Sequence, residues 1–332
     1  MTIAEDYNCA RFRPGFRGGH YESYYLRANH PVRPLAFWIR YTVFSPKGRP
    51  EEAIGELWAA YFNGETGRNF AAKSEVPVDR CSFSMHTLAA KIADSELTGE
   101  ALSGGAGQGP DCISWDLGYR GGMPPLFALP AGRYEGGFPK AKTLVGMPLA
   151  RFDGVLRVAG ETVRIEDWTG SQNHNWGSRH TDTYAYGQVA GFDNAPGSFL
   201  EVASARLKMG PLWTPLLTPL VLRHEGREYT FNTVLQALRA RAAYGYFSWR
   251  FKSRGGPVEI EGEIAAPASA FVGFRYYNPP GGLKYCINSK IASCTLRLTD
   301  RRDSKTETLH TRNRAAFEIL GGEPAPGVDF LA

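Results

Sequence analysis

Leu35-Ala-Phe-Trp-Ile-Arg-Tyr-Thr-Val-Phe44 places Leu35, Phe37, Ile39, Tyr41 and Val43 on one side of an extended chain. A helix would space its apolar residues three and four apart, so this stretch reads as a strand with one face in a core. The preceding run, Gly18-Gly-His-Tyr-Glu-Ser-Tyr-Tyr-Leu-Arg27, reads as its antiparallel partner. Asn29-His30-Pro31 and Pro34 supply the loop between them, and Ser45-Pro46-Lys47-Gly48 ends the pair. Outward along the chain, Ile54 to Phe62, closed by Asn63-Gly64, and Ala71 to Val78 continue a meander. Phe83 to Leu97 carries Met85, Leu88 and Ile92 at helical spacing, but its strand neighbours favour a strand. Ser103-Gly-Gly-Ala-Gly-Gln-Gly109 precedes Cys112-Ile-Ser-Trp-Asp-Leu-Gly-Tyr119, a strand and not a helix, so it reads as a hairpin tip and not a dinucleotide loop.

From Gly121 to Pro148 the chain is dense in Pro and Gly without a sustained period, and is taken as linker and domain boundary. Alternation resumes beyond it: Gly154 to Ile165, Thr183 to Phe192, Phe199 to Lys208, Leu220 to Phe231, Tyr244 to Phe251, Val258 to Ile264, Ser293 to Leu298 and Ala316 to Leu320. The most legible of these sets Val258, Ile260, Gly262 and Ile264 against Glu259, Glu261 and Glu263, one dry face and one charged. Tyr184, Tyr186 and Phe192 share a side, and such strands are buried twice or line a cavity. At roughly eight strands per half this predicts an all-β protein of two tandem antiparallel β-barrel halves, 1–145 and 146–332. A barrel of that size can enclose one small ligand.

Composition agrees. The chain has 332 residues, 43% hydrophobic and 21% charged, with 38 Gly and 22 Pro, a balance that favours strands and tight turns over long helices. The net charge of +5 is spread thinly, and Arg301-Arg302 is flanked by Asp300 and Asp303, so nucleic-acid binding is not expected. Five cysteines without C-x-x-C spacing suggest neither a disulfide framework nor a thiolate zinc site. With no apolar leader at Met1-Thr-Ile-Ala-Glu-Asp6 and no long apolar span, a cytoplasmic protein is expected.

The chemistry is concentrated in Asp167-Trp-Thr-Gly-Ser-Gln-Asn-His-Asn-Trp-Gly177, which packs two indoles, an imidazole and a carboxylate among amides and hydroxyls. It is either a pocket wall or a polar turn with tucked indoles. His174, between Asn173 and Asn175 and seven residues after Asp167, is the first catalytic candidate, because imidazole exchanges protons near neutral pH. His174 and His180 alone make a weak metal signal, and no metal is expected. Asp167, Glu201, Asp116 and Glu22 lie in or beside aromatic-rich strands, where desolvation would keep a carboxyl protonated. Glu201 is the odd one, a charge set in Phe199-Leu-Glu-Val-Ala203. Trp168, Trp176, Tyr184 and Tyr186 could cradle a cation. Gly-x-Ser-x-Gly, P-loop and His-Glu-x-x-His motifs are absent from the sequence. The Pro-interrupted apolar run Met209 to Leu222 reads as a rim that touches a lipid surface or guards a pocket mouth, or as a buried edge strand.

Tyr21-Glu22-Ser-Tyr-Tyr25 and Gln172-Asn-His-Asn-Trp-Gly177, set in two barrel halves, resemble the lipocalin-like (calycin) superfamily. This group includes the AttH-like proteins, carotenoid 1,2-hydratases, tocopherol cyclases and fungal lipocalin-like Diels–Alderases. The resemblance implies a cofactor-free pocket for a hydrophobic isoprenoid or polyketide substrate, worked by acid catalysis on a double bond or by folding a polyene. It maps onto His174, Trp176, Asn173 and Asn175, with Glu22 a weaker match. Asp167 or Glu201 would then be the acid and His174 its partner or the base that activates water. A carrier of lipids or isoprenoids and a pericyclase working by shape are the alternatives. The Tyr-Glu-Ser-Tyr-Tyr start and the Pro-rich segment at 211–219 depart from the family pattern and leave substrate and oligomeric state open.

Overall fold

A computed structural model describes residues 7–332. The protein is nearly all-β, its strands arranged in two large antiparallel sheets. In the first half of the chain these are β1 (His20–Asn29), β2 (Leu35–Ser45), β3 (Ile54–Asn63), β4 (Phe70–Pro77), β5 (Cys81–Phe83) and β6 (Ala89–Ile92). They continue as β7 (Ser95–Thr98), β8 (Ala101–Ala106), β9 (Ile113–Arg120), β10 (Leu126–Phe127), β11 (Ala141–Val158) and β12 (Glu161–Gly177). The sheet runs β4-β3-β2-β1-β12-β11-β9-β8-β7-β6-β5, with β10 on β11. It curls into a nearly closed barrel, and the Gly107 amide after β8 donates to Ser74 Oγ on β4 at 3.0 Å. Phe83 to Leu97 is three short strands and turns rather than a helix, and β8 and β9 form the expected hairpin.

The second sheet contains β13 (Thr183–Ala190), β14 (Phe199–Arg206), β17 (Leu220–His224), β18 (Arg227–Phe231), β19 (Arg241–Tyr244) and β20 (Ser248–Gly255). To these it adds β21 (Val258–Ala265), β22 (Val272–Tyr277), β23 (Leu283–Asp300) and β24 (Lys305–Gly321). Its order is β18-β17-β14-β13-β24-β23-β21-β20-β19, with β22 on β23. A small separate hairpin, β15 (Lys208–Met209) with β16 (Leu212–Trp213), opens the Pro-rich run. Glu259, Glu261 and Glu263 face outward as expected, paired with Lys252 and Arg250, while Val258, Ile260 and Ile264 are buried.

The 145/146 boundary expected from the sequence falls inside β11, and the change of sheet comes between Gly177 and Thr183. The Pro- and Gly-rich stretch leaves β9 and returns to the same sheet. Prolines there lack the N–H that would continue a ladder, but a loop that comes back to a neighbouring strand divides nothing. The polar stretch ending at Gly177 is likewise not a turn. It is the end of β12, hydrogen-bonded between β1 and β11 in the middle of the first sheet.

The pleat assigns the faces. On β1 and β2, Tyr24, Leu26, Leu35, Phe37, Ile39 and Tyr41 fill the first barrel, where the Trp115 indole donates to Tyr41 Oη at 2.7 Å. Tyr25, Ala36 and Trp38 project the other way and pack with Trp58 and Phe62 against Val272, Phe274, Tyr276 and Leu320 of the second sheet. Both faces of β2 are therefore buried, and part of the contact between the two halves is an apolar cluster. Among the described residues no helix is long and apolar enough to cross a membrane.

Candidate functional site

The alternation of β12 splits the sequence motif in two. Ser171, Asn173 and Asn175 turn toward the second sheet, whereas Gln172, His174 and Trp176 turn toward the N-terminal segment over the mouth of the first barrel. Two buried clusters result, and they differ in kind.

The even-numbered cluster is saturated. His174 is fully buried, with Nδ1 2.8 Å from the Tyr7 carbonyl, Nε2 2.8 Å from Glu22 Oε1, and its ring stacked 4.3 Å from Tyr24. Glu22 also accepts the Arg11 amide at 2.9 Å, the Phe12 amide at 2.8 Å and His20 Nε2 at 3.0 Å. Burial pushes the Glu22 carboxyl up, but the bonds from His174 and His20 outweigh it and leave it at about 2. Burial holds the His174 imidazole below its ordinary value, against the pull of Glu22. Tyr24 donates to the Asn8 carbonyl at 3.0 Å and Asn8 bonds Gln172 at 2.8 Å, so the whole group fastens residues 7–12 across the barrel end.

The odd-numbered cluster lies between the sheets. Gln188 on β13 is its hub: Nε2 lies 2.8 Å from Asn173 Oδ1, 3.0 Å from Tyr186 Oη and 2.9 Å from Glu201 Oε2. Its Oε1 accepts from Arg27 Nε at 2.8 Å and from Ser171 Oγ at 2.7 Å, which orients the amide. Register brings Gln188 opposite Glu201 on β14. Tyr186 donates to Glu201 Oε2 at 3.2 Å and stands 3.2 Å from Tyr25 Oη. Glu201 Oε1 is buried without a partner. Desolvation outweighs the bonds to Oε2 and raises this carboxyl to about 8, so at neutral pH it is mostly protonated. Since Oε2 is already taking two donors, the proton belongs on Oε1.

Two neighbouring chambers share lining residues here. One, of about 140 Å³, is lined by Tyr21, Tyr25, Trp38, Arg40, Tyr184 and Tyr276 among others, with Asn175 Oδ1 on its wall lacking a partner. The other, of about 200 Å³, is mainly apolar and is lined by Glu201, Val202, Leu217, Leu220, Val221 and Phe138 among others. Ala141, Thr143, Thr181, Tyr186, Ala203 and Ala205 border both. The cavity is therefore between the halves and not inside one barrel.

Of the residues singled out from sequence, Glu201, Tyr184, Tyr186 and Asn175 line these chambers, and Asn173 stands behind them on Gln188. His174 and Glu22 lie in the clamp. Trp168 is in the first barrel's core, stacked on Phe37, and Trp176 packs on Tyr134 under the Arg11 guanidinium. Asp167 is half-exposed at a left-handed backbone position (φ 54), pairs with Arg151 at 2.6 Å, and lines neither chamber. Asp116 is exposed on β9. His180 stacks on Tyr21 at 4.0 Å, far from any shared ligand set with His174. The one group among the described residues with metal-ligand spacing is His224, Glu225 and Glu307, and Lys305 already bridges both carboxylates at 2.8 Å. Gln188, Tyr25, Arg40 and Glu318 were not anticipated, although Gln188 shares the parity of Tyr184 and Tyr186 on one strand.

No family model matches the sequence. Two uncharacterised proteins, from Mycobacterium tuberculosis strains CDC 1551 and H37Rv, are each 26% identical over 322 residues, 94% of this chain and 93% of theirs. Among solved structures, an AttH-type protein of Nitrosomonas europaea matches with a TM-score of 0.61 at 13% identity, over 97% of this chain and 96% of that one. Kievitone hydratase from Nectria haematococca matches at 0.57 and 11% identity, over 98% and 93%. CghA, solved with Sch210972, matches at 0.59 and 12% identity, over 95% and 97%. The lipocalin-like two-barrel fold expected from the sequence is the fold these proteins share.

Proposed function

We propose that the protein is a cofactor-free enzyme that hydrates or cyclises a double bond in a hydrophobic isoprenoid- or polyene-type molecule, with Glu201 as the acid. The observation that carries this reading is the buried Glu201 carboxyl in the lining of an apolar chamber, its Oε2 fixed by Gln188 and Tyr186, its Oε1 unpartnered, and burial raising it to about 8. An alkene is a weak base, so its protonation needs an acid kept away from water and a surface that tolerates a cation. Glu201 Oε1–H would deliver its proton to one alkene carbon, the π pair becoming the new C–H bond and the neighbouring carbon a cation. Rings of Tyr186, Tyr25 and Tyr184 supply π faces nearby. Water then adds and returns a proton to the carboxylate, or a second double bond adds and a neighbouring C–H gives the proton back. Gln188 and Tyr186 accommodate both charge states, since each donates to the oxygen on which charge develops. The fold shared with a hydratase supports the class of reaction.

The test is native mass spectrometry and organic extraction of wild type and Glu201→Gln purified from the protein's own host. Wild type holding a compound one water heavier than, or isomeric with, the one held by the variant supports the enzyme. Identical compounds in both would make the cavity a carrier's.

A further inference from the structure

Resting on that reading of the cavity, we infer that the chamber around Arg40 binds the carboxylate of an amphipathic ligand whose apolar body fills the adjoining chamber at Glu201. Arg40 is 6% exposed on β2, with one Nη donating to Ser23 Oγ at 2.7 Å and its guanidinium 4.6 Å from the Tyr276 ring centre. Its Nε has no acceptor, and neither does the buried indole N–H of Trp38, a residue of the same chamber's lining.

The surrounding carboxylates are already taken. Glu56 is held by Lys73 at 2.7 Å and Glu318 by Lys290 at 2.6 Å, and no ion pair among the described residues includes Arg40. Lys73 and Lys290 are thus paired, and Arg40, at the cavity wall, is the cation of this group that stands in no ion pair. Buried cations are ordinarily paired, and a guanidinium's planar fork matches a carboxylate. A carboxylate would give Arg40 the charged partner it lacks. His180, lowered to about 3 by burial and by Arg40, adds no charge of its own. Tyr21, Tyr25, Tyr184 and Tyr276 are among the other residues that line the chamber, Lys142 and Glu318 with them, and its border with the apolar chamber at Tyr186 and Ala203 sets the direction in which the ligand continues.

Calorimetric titration at about pH 7 with decanoate and with decan-1-ol tests this, because the two differ in the head group alone and decanoate is ionised there. Wild type is expected to bind decanoate at least tenfold more tightly. Arg40→Met should lose that preference with decan-1-ol binding unchanged, and Arg40→Lys, which keeps the charge without the fork, should lose part of it. Near-UV circular dichroism checks each fold. Equal binding of the two probes by wild type, binding of neither, or an undiminished preference in a folded Arg40→Met overturns the inference. Glu201→Gln should keep the preference intact, so loss of the carboxylate site and loss of the acid mechanism are separate results.

Discussion

Glu22 and Glu201 are both glutamates in the middle of strands, both buried, and both joined to aromatic side chains, yet they end on opposite sides of neutrality. Glu22 receives two backbone amides and two imidazoles, and its carboxyl sits at about 2. Glu201 receives one amide and one phenol on a single oxygen, and its carboxyl sits at about 8. Burial is common to them; the number of donors is not. A carboxylate given every bond it can accept is a fastening, and one left with an unpartnered oxygen beside a cavity is equipped to exchange a proton.

The comparison breaks most sharply on turnover. Glu201→Gln keeps the bond-accepting oxygen and removes the proton, and kcat should fall about 10³-fold, within the range of a lost general acid. Glu22→Gln, assayed on the same substrate after the fold is checked, should leave kcat within a factor of about three, since the clamp faces away from the chambers. Equal losses in the two variants would erase the distinction.

Stability should show the reverse. The Glu22 carboxyl is depressed from 4.5 to about 2, so its contribution is present above pH 4.5 and is lost as pH falls through 2. At pH 7 Glu22→Gln should cost about 3 kcal/mol in denaturant unfolding. His174→Ala, which leaves a buried carboxylate short of a donor and a cavity under Tyr24, should cost a similar amount. If either variant unfolds like wild type, residues 7–12 are not fastened by this group.

The sequence made one of these clusters conspicuous and left the other nearly silent, for a physical reason. Strand alternation is local, so Leu35 to Phe44 and Val258 to Ile264 could be read directly, and the all-β architecture followed. Side-chain partners are not local. His174 drew attention by residue type, but its carboxylate is Glu22, 152 residues away, and the two together leave nothing free to react. Tyr25 meets Tyr186 across 161 residues. Glu201 was legible because a charge between Leu200 and Val202 contradicts its surroundings. Gln188 was not, because an amide in a strand contradicts nothing, although its parity with Tyr184 and Tyr186 placed it on their face. The boundary was misplaced because Pro and Gly report where a ladder stops and not to which sheet the chain returns.

A finer contrast concerns stability against pH at Glu201. Its folded value is raised from 4.5 to about 8, so its contribution is greatest below pH 4.5 and is lost as pH rises through 8. Glutamine does not titrate. Glu201→Gln should therefore match wild type near pH 4.5 and exceed it by a few kcal/mol near pH 9, read as a growing difference in denaturant midpoint. A constant difference across that range would mean that the carboxyl titrates as it does in water.

The smallest effect isolates one bond. Tyr186 donates to the oxygen of Glu201 on which charge develops, and that bond lowers the carboxyl against the pull of burial. Tyr186→Phe keeps the ring at the border of the two chambers and removes the donor, leaving Gln188 alone on Oε2. The carboxyl should rise further, moving the alkaline limb of the pH–rate profile upward by about half a unit to one unit, while kcat falls about threefold to tenfold because the developing carboxylate is less well held. A tyrosine that merely filled space would change kcat without moving the limb. A limb that moves down would mean that Tyr186 accepts rather than donates, with the Glu201 proton on Oε2 and not on Oε1.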